Sequence, residues 1–154
     1  MLSIEQIHPV VVHFPIVLLL GLAAFDTIGL ASGGRFDGRS CIANLSAGLA
    51  VLAGLSAGVA YVFGDIAFDA ALAKGIAESR LELHETLGTV TAAVLVLWGL
   101  ARAVLWWRGR AMATGLRRAI VALEIAFSIL VVTTAFYGGQ LVYEFGVNVA
   151  RAAS

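Results

Sequence analysis

Four stretches of the chain stay apolar over the ~20 residues that a helix needs to cross a bilayer. They cover residues 10–32, 41–63, 84–107 and 118–141. The first two are joined by GGRFDGR and the last two by RGRAMATGLRR, short connections that suit antiparallel neighbours. The pattern predicts an all-α polytopic membrane protein, a four-transmembrane-helix bundle forming a single membrane domain over residues 1–154. The first stretch contains Asp26 and no small-residue cleavage signal, so it reads as a retained span and not a signal peptide. The connection 64–83 is too polar to span. Its Ile66, Ala70, Ala73 and Ala77 recur at helical spacing, which predicts an amphipathic helix lying flat on the surface. In the second stretch Gly48, Gly54 and Gly58 allow helix backbones to approach closely, the ordinary device of bundle packing in lipid. No internal repeat or low-complexity run stands out.

Composition sharpens this picture. Of the 154 residues, 60% are hydrophobic and 13% charged, a balance that excludes a soluble enzyme. Ten Lys and Arg against ten Asp and Glu leave no basic field, which excludes nucleic acid as a partner and leaves the lipid bilayer as the first one. Cys41 is the one cysteine, so there is no internal disulfide, no thiolate metal cage and no CxxCH for covalent haem attachment. No Ser-His-Asp or HExxH constellation suggests an autonomous hydrolase.

The cations are unevenly placed. Arg35, Arg39, Arg102, Arg108, Arg110, Arg117 and Arg118 lie in or near the two short connections, whereas Lys74, Arg80 and Arg151 fall at the opposite end. Glu5, Asp65, Asp69, Glu78, Glu82, Glu85 and Glu144 also belong to that opposite end. Cytoplasmic loops carry the excess of Lys and Arg, so the expected topology puts the two basic connections in the cytoplasm and both termini outside.

This topology brings all three histidines to one boundary. His8 precedes the first span, His13 lies in its opening turns, and His84 opens the third span, which runs in the same direction. Taken singly, each is an interface histidine bonded to a neighbour or a head group; their shared depth raises a ligand pair as an equal reading. A b-type haem would take His13 and His84 as axial ligands, with His8 behind them and Gly21 and Gly88 giving the macrocycle room against the backbone. A single transition-metal ion would instead draw on His8, His13, His84 and Asp65. Against that set, His8 and His13 are ~140° apart around a straight helix, and a break near Pro9 or Pro15 is needed to relieve it. A third use of the histidines is proton transfer to water.

A second layer lies inside the spans near their basic ends. Asp26, Arg102 and Glu124 each sit five or six residues from that boundary, ~8–9 Å deep. A carboxylate–guanidinium cluster, or protonation of one acid, is the expected remedy for charge at that depth. A structural clamp between helices is the plainer role, and a proton-accessible site the functional one. Trp106 and Trp107 read as an aromatic belt.

The string IHPVVVHFPIVLLLGLAAFD, residues 7–26, resembles the opening motif of a bacterial family of predicted membrane proteins, domain of unknown function 2231. The likeness extends to Gly64-Asp65, to His84 and to GGQLVYEFGV at 138–147. It implies a small multi-span protein of the bacterial inner membrane, whose relatives are in places joined to periplasmic c-type cytochrome or Rieske-like domains. His8, His13, Asp26 and His84 match the family pattern, while this chain has Phe145 where relatives can carry histidine and Asn148 where they often carry glycine. The resemblance therefore implies electron transfer at the outer face, with a periplasmic cytochrome c or other redox protein as partner and oligomerisation left open.

The reading expected from sequence is an electron carrier or redox subunit, not an autonomous enzyme, binding haem b through His13 and His84. Its alternatives are a non-haem metal-binding membrane protein and a cofactor-free structural or assembly subunit.

Overall fold

The computed structural model describes residues 4–33, 37–147 and 149. Arg35, Asn148 and Arg151, used above for charge and family likeness, lie outside the described residues. A 3-10 turn at Ile4–Gln6 leads into α1 (His8–Val11) and α2 (His13–Ala31), followed by α3 (Cys41–Ala73), α4 (Glu78–Arg108) and α5 (Thr114–Tyr143). The fold is all-helical among the described residues, and four helical segments are long and apolar enough to cross a membrane.

Each long helix packs against its neighbours in sequence, and α5 closes the ring on α2, so that α2 faces α4 across the bundle. The closest approach is between α3 and α4. A Cβ added at Gly54 would lie 2.8 Å from the Leu95 carbonyl oxygen, and one at Gly99 would lie 2.9 Å from that of Ala50. Only glycine permits such backbone contact, which in lipid supplies the dispersion attraction that burial from water cannot. The buried core between the helices comprises Leu19, Leu22, Ala50, Ala53, Ala57, Leu95 and Val131, with Trp98 and Phe127 against it. The large side chains Val17, Leu55, Leu97, Ile129 and Phe136 point outward and are all more than half exposed. An apolar exterior, with alanine and glycine where helices approach closely, is what a bilayer solvent selects.

The predicted surface helix over 64–83 is corrected. α3 runs unbroken through Asp65 and Asp69 to Ala73, and α4 starts at Glu78 after a four-residue turn containing Gly75 at φ +82°. Nothing in the sequence breaks the helix before Gly75, and its extension has an apolar side to bury: Ala71 packs with Leu81, Leu141 and Val147 in a second core. Hydropathy falls where the chain leaves the apolar zone, not where the helix ends.

At the arginine-rich end the two connections are tied together. Asp37 accepts a hydrogen bond from the Met112 backbone N–H at 2.6 Å, and Trp106 Nε1 donates to Asn44 Oδ1 at 2.7 Å. Arg39 lies over the Trp106 ring and donates to the Trp107 carbonyl at 3.2 Å. The two tryptophans expected in an aromatic belt thus also anchor an arginine.

Candidate functional site

Pro15 has no N–H for the Val11 carbonyl, and α1 and α2 meet at Val12, which itself keeps helical dihedrals of φ −62° and ψ −23°. Five residues of helix set the first two histidines ~140° apart, so they face different ways. His8 turns inward to α3, its Nδ1 3.0 Å from the Ala60 carbonyl oxygen, while His13 is exposed on the outside of α2.

His84 repeats the His8 arrangement on the other half of the bundle. Its Nδ1 lies 3.2 Å from the Thr134 carbonyl oxygen of α5. Each imidazole also lies over a glycine one turn beyond the carbonyl it contacts. A Cβ at Gly64 would come 3.0 Å from His8 Cε1, and one at Gly138 would come 2.8 Å from His84 Cε1. Across the bundle the two rings meet edge to face, centroids 6.2 Å apart and planes at 71°. No repeat stands out in the sequence, yet the two helical hairpins build the same histidine–carbonyl–glycine unit. Leu19 and Leu95, eleven residues after each histidine, both enter the buried core.

A carbonyl oxygen only accepts, so each Nδ1 donates to it, and in the neutral ring that leaves the lone pair on Nε2. Fixing one nitrogen on a carbonyl and leaving the other for a ligand is how a metal-binding histidine is usually held. Just inside the pair, Thr91 and Thr134 share a hydroxyl hydrogen bond of 2.8 Å and are buried.

The pairing differs from the one expected. The structure brings His8, not His13, to His84. Asp65 is exposed on α3, and among the described residues no group of three His, Cys, Asp or Glu side chains is placed to hold an ion. Gly21 and Gly88 have no neighbour within 4 Å of an added Cβ, so neither is required by packing. The glycines that admit the rings are Gly64 and Gly138. Their signal was a helix-interior glycine, costly by ~1 kcal/mol unless something approaches the backbone closely.

The second layer draws one side chain from each long helix. Arg102 of α4 donates through Nη1 to Asp26 Oδ2 of α2 at 2.9 Å and to Glu124 Oε1 of α5, and through Nη2 to Ser46 Oγ of α3. Ser46 Oγ lies 2.6 and 2.8 Å from the two Asp26 oxygens, and Trp98 Nε1 donates to Glu124 Oε1 at 3.3 Å. Asp26, Ser46, Arg102 and Glu124 are 0–2% exposed. Between this layer and the histidines stands the apolar core of Leu19, Leu22, Leu95 and Val131, over ~27 Å of helix from His84 to Arg102. The two polar layers are separate sites.

A family model described as predicted membrane protein (DUF2231) matches residues 5–151. No curated protein and no solved structure matches the chain.

Proposed function

The chain belongs to the DUF2231 family of predicted membrane proteins, and from that premise we propose that His8 and His84 hold a b-type haem in a membrane redox protein. One observation carries the reading: both rings are fixed through Nδ1 on helix carbonyls and each keeps Nε2 for a ligand. Two imidazoles suit a haem, whose porphyrin supplies the remaining nitrogens to the iron, whereas zinc sites draw three or four protein ligands. The haem would supply one-electron transfer. The protein's own part is to orient the rings, to exclude water with the apolar core beneath, and to set ligand basicity through the two carbonyls.

A second reading is a single transition-metal ion on the same two nitrogens. It is favoured by the edge contact of the rings, which leaves no slot for a macrocycle unless the helix ends part. In both readings the arginine-rich end faces the cytoplasm of a bacterial cell and the histidines face the periplasm, a placement supported by the distribution of cations.

The test is an absorbance spectrum of detergent-purified protein, oxidised and dithionite-reduced, with iron, copper and zinc quantified on the same sample. Haem is expected to give sharp reduced bands and stoichiometric iron, lost in His8→Ala and in His84→Ala and retained in His13→Ala. A featureless spectrum from haem-replete cells overturns haem; stoichiometric copper or zinc with the same dependence on His8 and His84 then establishes the ion. Loss in His13→Ala with retention in His8→Ala overturns the pairing.

A further inference from the structure

The buried charge layer contains two carboxyl groups and one guanidinium, drawn from three helices, with only the Ser46 hydroxyl contributed by the fourth. All are sealed from the surroundings. With both acids ionised the layer would hold an uncompensated negative charge in the interior of a membrane bundle, an arrangement avoided by neutralising one group.

The hydrogen bonds distinguish the two acids. Asp26 is served on both oxygens, by Ser46 and by Arg102, as an ionised carboxylate requires. Glu124 is served on Oε1 alone, by Arg102 and Trp98, and its buried Oε2 has no hydrogen-bond partner among the described residues. A bare carboxylate oxygen in this setting is far costlier than the hydroxyl of a neutral acid.

We infer that Glu124 binds one proton on Oε2 in the folded protein, leaving Asp26 and Arg102 as the ion pair of an electrically neutral layer. Among the described residues, the charged groups facing it are Asp26 from α2 and Arg102 from α4; α3 presents the uncharged Ser46, and α5 presents Glu124 itself. The site is independent of the histidine pair and of any cofactor there.

Infrared spectroscopy of the full-length protein in lipid at neutral pH reads the proton directly. The expected result is a carbonyl stretch of a protonated carboxylic acid that shifts when the chain is made by cell-free synthesis with carboxyl-¹³C glutamate, does not shift with labelled aspartate, and disappears in Glu124→Gln. The labelling arm uses the wild-type chain, so it holds even where the variant fails to fold. Absence of the band, a shift with aspartate label, or survival of the band in a folded Glu124→Gln protein each overturns the assignment.

Discussion

His8 and His84 open different helical hairpins, and their rings meet at 6.2 Å after each has found the same footing: a helix carbonyl for Nδ1 and a glycine beneath the ring. The footing is stereochemical. A Cβ at either position would crowd the ring, and its absence lets the imidazole lie against the helix beside the carbonyl that it contacts.

Gly64→Ala and Gly138→Ala therefore place a methyl 3.0 and 2.8 Å from a histidine carbon. Each is expected to displace its ring, break the Nδ1 contact and weaken cofactor or metal binding ~10–100-fold, the usual cost when a ligating histidine loses the group that orients it. Gly21→Ala and Gly88→Ala, with open space around the new methyl, are expected to leave binding unchanged. Titration of purified apoprotein with haem or metal checks all four.

Four spans were legible because hydropathy depends only on composition within a window, and the common level of His8, His13 and His84 followed from counting along them. Which of His8 and His13 faces His84 was not legible, because it depends on how the first helix is turned about its own axis against α3, which counting along the chain does not give. The extension of α3 to Ala73 was missed for a related reason: Asp65 and Asp69 break the hydropathy but not the helix. Asp26, Arg102 and Glu124 were legible as one depth; Ser46, an unremarkable serine among alanines, was not.

The α3–α4 contact makes a second prediction. Gly54→Ala and Gly99→Ala each drive a Cβ to within 3 Å of a backbone carbonyl oxygen, which cannot rotate away as a side-chain tip can. Overpacking of this kind costs ~1–3 kcal/mol. The two glycines serve one interface, so the double variant is expected to lose less than the sum of the singles once the helices have moved apart. Thermal or denaturant unfolding in detergent measures both effects.

Removing the cation from the buried layer is a harsher change. Arg102→Met takes away the shared partner of Asp26, Glu124 and Ser46, and breaking a buried pair on one side typically costs ~3–5 kcal/mol. Adding Asp26→Asn and Glu124→Gln removes the stranded acids, and the triple variant is expected to recover most of that loss. Failure of the triple variant to recover would show that Arg102 contributes through packing against Trp98, over whose ring it sits, more than through charge.

Orientation can be tested without altering the protein, because its one cysteine stands at an informative place. Cys41 is exposed at the first turn of α3, immediately after the Ser40 cap and beside Arg39, hence at the arginine-rich end. If that end faces the cytoplasm, a membrane-impermeant maleimide leaves Cys41 unlabelled in intact spheroplasts and labels it after lysis. A Cys41→Ser protein carrying Asp69→Cys, at the exposed histidine end of the same helix, is expected to label before lysis. The two positions lie on one continuous helix, so opposite accessibility also establishes that α3 crosses the membrane. Labelling of Cys41 in intact spheroplasts, with Asp69→Cys protected, would invert the topology and move the histidine pair to the cytoplasmic face.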